Sequence, residues 1–259
     1  MDGLEKMVIL IDADNTQLSK LEAVIREISA RGRIVVKRAY GNWQKDSLKN
    51  WEQELKRLAI RPEQQFDYVK GKNATDIALV IDAVNLLHRE IYDAFAIVAS
   101  DSDYTPLVIN LHESGVYVMG VGEQKTPESF RNSCDEFIFL ENLDVQEDEG
   151  DEEGEEGTTV PFTKRAHSKK ALTDMAEVHK LIKMAYDKYQ GDDGYAHIGS
   201  AGSFIKRAKP DFDSRTFGYV KLTQLLQAFP DKYDVQQRQY EKSSNVVYRC
   251  LSKKKKKSK

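Results

Sequence analysis

At 259 residues the chain has room for one large domain or two smaller ones, each able to bury a core, and a hydrophobic fraction of 40% fits a globular protein. No stretch approaches the roughly 18 apolar residues that a membrane span needs, and the acid-terminated start MDGLEKMVILIDADN does not read as a signal peptide. The net charge of -3 conceals an asymmetry: residues 1–143 carry a net of -6, residues 144–160 hold nine acids and no base, and residues 161–259 carry +12. An acidic front and a basic back imply two modules with different work.

In chain order, strand-like and helix-like stretches alternate. Met7–Ile11 reads as an apolar strand, Leu18–Ala30 as a helix, Ile34–Val36 as a strand and Ser47–Ile60 as a helix with Leu48, Trp51, Leu55 and Leu58 on one face. A short strand at Phe66–Val69 precedes a helix at Asp76–His88. Then come strand Phe95–Ala99, helix Thr105–Glu113, strand Val116–Val121, a short helix near Pro127–Asn132 and a last strand Phe137–Leu140. Continuous apolar strands alternating with helices predict a parallel, Rossmann-like three-layer α/β sheet. Residues 144–170, acidic and glycine-dotted, read as a disordered linker. Beyond it, helices at Met175–Tyr189, Ala201–Ala208 and Phe217–Ala228 lead to two β-like stretches, Tyr233–Arg238 and Asn245–Cys250, with Ser214 a candidate cap for the third helix. Three helices and a hairpin form an α+β winged-helix pattern over 171–252, and a basic tail, 253–259, follows. Cys134 and Cys250 are widely separated, which suggests a reducing, cytoplasmic setting without disulfides.

The chemistry gathers where strands end. Asp12 and Asp14 follow one strand, Asp101 and Asp103 another, and Asp76 opens the helix after a third. Parallel strands deliver such residues to one edge of the sheet. Carboxylates brought close together repel, and a hard divalent cation, Mg²⁺ or Mn²⁺, resolves the conflict when only oxygen ligands are on offer. Each acid taken singly is explained as well by helix capping: Ser102 or Asp103 before one helix, Thr75 before another, Asn15 or Thr16 before the first. Three acidic exits together favour the metal, with Asp12, Asp76 and Asp101 at its core and Asp103 ahead of Asp14 as the fourth member. Asp82, six positions beyond Asp76, points elsewhere and reads as structural, as do His88 and His112. Lys70 and Lys72 flank the third strand's exit, where they could hold phosphates or simply solvate a loop. Trp43 in AYGNW could stack on a base or serve as packing.

The motifs ILIDADN, ending at Asn15, KGKNATDIALVIDA (70–83), IVASDSDYTPLV (97–108) and GVGEQKTPESFRNSCDEFIFLE (120–141) resemble the bacterial branch of the NYN domain, a relative of PIN-like nucleases. The resemblance implies a PIN-like fold over 1–143 and a metal-dependent ribonuclease site. Asp12, Asp76, Asp101 and Asp103 fall on its acids and Asn15 on its asparagine. The stretch from Gly194 to Val235, with VVYRCL, is similar to the LOTUS or OST-HTH domain, a winged-helix module associated with RNA. There Lys206, Arg207, Lys209, Arg215 and Lys221 are candidate phosphate contacts. The function expected is a metal-dependent endoribonuclease with a C-terminal RNA-binding module, and a homo-oligomer or protein partner through that module is a further possibility. The alternatives are a non-catalytic RNA-binding adaptor and, from DADNT matching D-x-D-x-T, a haloacid-dehalogenase-like phosphatase.

Overall fold

The computed structural model describes residues 4–66, 73–144, 169–240 and 243–251. The chain divides into two compact units, Met1–Asp144 and Val145–Lys259.

In the first unit six strands, β1 (Leu4–Asp12), β2 (Gly32–Gly41), β3 (Arg61–Gln64), β4 (Ala94–Val98), β5 (Tyr117–Gly122) and β6 (Glu136–Phe139), form one wholly parallel sheet in the order β3-β2-β1-β4-β5-β6. The chain starts in the middle, builds outward through β2 and β3, and then crosses to β4 and builds outward the other way. The order therefore reverses between β1 and β4, and a crevice opens at such a point beyond the carboxyl ends of the strands.

Side-chain alternation makes two cores. Met7, Ile9 and Ile11 pack under α1 (Leu21–Ser29) and α2 (Trp51–Arg57), through Leu21, Val24, Ile28, Trp51 and Leu55. Val8 and Leu10, with Phe95 and Ile97 of β4, pack under α3 (Ala74–Leu87) and α4 (Thr105–Glu113). A short α5 (Glu128–Ser133) adds Phe130, which meets Phe137 of β6 edge to face at 6.0 Å.

The third strand is Arg61–Gln64, which corrects the expected Phe66–Val69. Its sequence, R-P-E-Q, carries no apolar run because it is an edge strand paired only with β2. Phe66 lies outside it and is 54% exposed, and residues 67–69 lie outside the described residues. Two expected helices are broken. The first has a 3-10 turn at Leu18–Lys20 before α1. The second has one at Asp46–Leu48 before α2, after which Ala59 turns with a positive φ of 51°.

The second unit holds α6 (Lys169–Tyr189), α7 (Ile198–Ala208), α8 (Leu222–Gln227) and an antiparallel sheet β7-β9-β8 made from Ala196–His197, Ser243–Cys250 and Tyr233–Tyr240. Val178, Ile182, Ile205, Leu225, Leu226 and Tyr248 fill its core. Helix α6 begins at Lys169, two residues inside the expected linker; 145–168 and the basic tail lie outside the described residues. The third helix starts at Leu222 rather than Phe217, because Gly218 adopts a left-handed φ of 84° after a 3-10 turn over Ser214–Phe217. That turn is capped by Asp213, whose Oδ1 accepts from the Arg215 amide at 2.8 Å, and not by Ser214.

Candidate functional site

Period-two alternation places Asp12 on the face of β1 that carries Val8 and Leu10, toward α3 and α4, at the reversal point of the sheet. The side chain is fully buried. Its Oδ1 accepts from the Asp14 amide at 3.1 Å, and its Oδ2 accepts from Asn15 Nδ2 at 2.8 Å. The hydroxyl of Tyr104, also fully buried, lies 3.2 Å from Asp12 Oδ2 and 2.7 Å from Asp76 Oδ1. One phenol proton thus serves two carboxylates. Burial pushes Asp12 up to about 6. The bonds from Asn15 and Tyr104 hold it down against that, while the charges of Asp76 and Asp14 add to the rise. Asp76, half-buried in the first turn of α3, is raised by burial and by the charges of Asp101, Asp103 and Asp14, with the Tyr104 bond opposing. The acids of three segments therefore feel one another.

The first turn of α3 is tied to both strand exits. Thr75, buried, donates to Asp14 Oδ2 at 3.1 Å, and Asn73 Nδ2 donates to Asp103 Oδ2 at 2.8 Å. Lys45 pairs with Asp14 Oδ1 at 3.1 Å. After β4, Asp101 caps the 3-10 turn Ser102–Tyr104, its Oδ1 accepting from the Asp103 amide at 3.0 Å. The exit loop of β4 lies against Gly122 at the end of β5, where a Cβ would stand 2.6 Å from the carbonyl oxygen of Ala99. Glycine there lets the loop fold across the sheet edge.

Capping thus explains part of the acid pattern, although the residues differ from those expected. The cap before α4 is Asp101, Thr75 lies inside α3 and bonds Asp14, and Asn15 orients Asp12. The exits of β1 and β4 are those of neighbouring strands, and Asp76 belongs to the start of α3, reached after the displaced β3. Asp12 and Asp76 come together on Tyr104, while Asp101 and Asp103 stand exposed beside them. As their side chains lie, no three His, Cys, Asp or Glu among the described residues are grouped to hold a metal ion. In type the donors fit a hard divalent cation: all are carboxylate oxygens, and two are raised by burial with their neighbours' charges adding to it.

Sequence reasoning did not find Tyr104, Asn73 or Lys45, and it read Thr75 as a helix cap and not as a partner of Asp14. The only signal for Tyr104 was its place directly after Asp103, since a buried tyrosine needs a partner for its hydroxyl. Trp43 packs against Trp51, with ring centroids 6.1 Å apart, and its buried Nε1 has no hydrogen-bond partner among the described residues. Lys70 and Lys72 lie outside the described residues. Asp82 faces away from the acids and binds Arg38 and Tyr40.

The NYN domain family matches residues 6–141, more than half of the chain. The chain belongs to the NYN domain family. The OST-HTH/LOTUS domain follows, matched over residues 172–244. No curated protein matches the chain significantly. Among solved structures, a protein of unknown function from Vibrio parahaemolyticus is similar at 17% identity and a TM-score of 0.46, covering 55% of this chain and 97% of that one. An uncharacterized protein from Nitrosomonas europaea shares 31% identity over 29% of this chain and 74% of its own, with a TM-score of 0.27. A protein from Chromobacterium violaceum shares 23% identity over 28% of this chain and 78% of its own, with a TM-score of 0.25.

Within the OST-HTH/LOTUS domain the five candidate cations are not equivalent. Lys209 is paired with Glu177 at 3.2 Å and Asp211 at 3.4 Å, and Arg215 grips Asp213 at 2.8 Å. Lys206, Arg207 and Lys221 are exposed. Arg207 donates to the Tyr189 hydroxyl at 3.1 Å, close to Lys188, which lies 5.5 Å from the Tyr189 ring and 5.7 Å from that of Phe204. This exposed cluster of cations and rings was not apparent from charge counting. No described helix is long and apolar enough to cross a membrane, and both cysteines are free.

Proposed function

We propose that the chain is a divalent-metal-dependent endoribonuclease, with the NYN domain hydrolysing RNA phosphodiesters and the OST-HTH/LOTUS domain docking the RNA, in a cytoplasmic setting. The observation that carries this reading is the Asp12–Tyr104–Asp76 bridge at the reversal point of the sheet, with both carboxyls raised by burial and mutual charge. Perturbed acids in a crevice are what a cation or a developing positive charge would use.

Asp12, Asp76 and Asp101 would hold Mg²⁺ or Mn²⁺, with Asp103 as a fourth ligand or as the acceptor of a proton from the attacking water. Bound there, the cation would supply a polarised phosphate and an activated water. Asn15 keeps Asp12 Oδ2 oriented, and Asn73 does the same for Asp103. Lys45 holds Asp14 in an ion pair, so Asp14 is the acid least available as a ligand. Because Asp12 must be ionised to act as a ligand, cation binding would release protons near pH 6 and strengthen above it. RNA phosphates would reach the second domain through Lys206, Arg207 and Lys221.

The adaptor reading keeps one specific support: each acid already has hydrogen-bond partners, and no three converge among the described residues. The phosphatase reading fares worse, because it rests on the five positions of DADNT alone, whereas the NYN domain matches residues 6–141. The deciding experiment incubates structured and single-stranded RNAs with Mn²⁺, with and without chelator, for wild type and Asp101→Asn. Chelator-sensitive cleavage that Asp101→Asn abolishes is expected. Binding without cleavage by the wild type would establish the adaptor instead.

A further inference from the structure

On the outer side of α3, toward the β2–β3 edge, lies a groove of about 610 Å³ that no role assigned above uses. That volume falls in the range of small-ligand sites, about 300–1,000 Å³. One wall is the helix stripe Ala74, Ile77, Ala78 and Ile81. Ile77 and Ile81 are 59% and 56% exposed, the two most exposed large apolar side chains among the described residues. The floor is a fixed network. Arg38 Nη1 donates to Asp82 Oδ1 at 2.6 Å, and the buried Tyr40 hydroxyl donates to Asp82 Oδ2. At the rim Arg61 pairs with Glu63 at 2.8 Å, so among the described residues two cations balance two acids and the lining is close to neutral. The amides of Gln65, Asn73 and Asn85 are the other polar groups of the lining among the described residues.

This groove adjoins the acid site through the start of α3. Asn73 lines it and also donates to Asp103, and Ala74 lies two residues before Asp76 on the same helical turn. A neutral apolar wall with amide donors and acceptors does not suit a phosphate. It suits a flat, uncharged heterocycle read along its edge, as bases withdrawn from a stack are held between apolar side chains and hydrogen-bonding groups. We propose that the groove receives a nucleobase of the RNA strand adjoining the phosphate at the acids, and so sets a base preference. The proposal rests on the ribonuclease reading.

The test uses the full chain and a set of short single-stranded RNAs, each with one 4-thiouridine at a different position. Irradiation in EDTA is expected to crosslink one position to the peptide spanning residues 73–85. An abasic nucleotide at that position should weaken binding about ten-fold, the scale of one base contact. Ile77→Ser/Ile81→Ser should weaken metal-free binding about ten-fold and raise KM in Mn²⁺ with kcat unchanged, whereas Ile81→Leu should behave as wild type. Both isoleucines face solvent, so an unchanged urea midpoint would confirm that the variants fold. Crosslinks on α3 in a chain that never cleaves RNA would end the nuclease reading and keep the base site. Cleavage together with crosslinks elsewhere and an unaffected double serine variant would overturn the groove alone. A double variant that changes only the sedimentation of RNA-free protein would make the groove a protein interface and overturn the proposal.

Discussion

Replacing Tyr104 with phenylalanine removes one oxygen from a fully buried ring and leaves its packing in place. What is lost is the donor shared by Asp76 Oδ1 at 2.7 Å and Asp12 Oδ2 at 3.2 Å. A hydrogen bond to a charged partner contributes about 1.5–3 kcal/mol, so a loss of about 2 kcal/mol is expected when both acids are ionised. The loss should depend on pH. Asp12 goes from 3.8 to about 6 on folding. Its raised folded value means that its stabilising contribution is complete below 3.8 and lost as pH rises through about 6, by about 3 kcal/mol in all. The hydroxyl opposes that rise, so without it the folded value climbs further and the stability of the variant falls more steeply toward neutral pH. Urea unfolding at pH 5 and pH 8, followed by tryptophan fluorescence, reports this directly, because Trp43 and Trp51 both lie in the NYN domain. The variant should lose about 2 kcal/mol at pH 8 and distinctly less at pH 5. Equal losses at the two pH values, or none at pH 8, would refute the shared-proton account.

Asp76→Asn keeps an acceptor for Tyr104 and removes one charge from the crowd. It should stabilise the metal-free domain at pH 8 while weakening Mn²⁺ binding, both readable from urea midpoints with and without the ion. In the OST-HTH/LOTUS domain, burial and Lys232 lower His179 from 6.5 to about 4. The ring binds fewer protons folded than unfolded, so stability is complete above 6.5 and declines toward pH 4, by at most about 3 kcal/mol. Thermal unfolding followed by methyl NMR signals of Val178 and Ile182 should show this, and His179→Gln should flatten it. Arg207→Ala should reduce the slope of log affinity against log salt for RNA by about one, whereas Arg215→Ala, whose side chain is held by Asp213, should leave it unchanged.

What could be read from the sequence is what short-range pattern encodes. The apolar runs at β1, β4 and β5 announced buried parallel strands because both faces of each are covered. The acids after β1 and β4 pointed to one candidate edge because strand direction fixes where a chain exits. The polar R-P-E-Q strand escaped notice, since an edge strand needs no apolar run. The Tyr104 bridge was invisible because Asp12, Asp76 and Tyr104 meet only through the fold. The same applies to Arg38 and Tyr40, which share a face of β2 but find Asp82 more than forty residues away. In the basic domain, counting charges could not reveal that Glu177, Asp211 and Asp213 neutralise Lys209 and Arg215.

The central place of β1 has a consequence for biosynthesis. Its register partners are Ile34–Tyr40 on one side and Ala94–Val98 on the other. A nascent chain that has not yet reached Val98 leaves the apolar run Met7–Ile11 with one bare flank, a template for mispairing with neighbouring chains on the polysome. The late arrival of β4 both covers that flank and completes the acid crevice, so no amino-terminal fragment ending before it can possess the site.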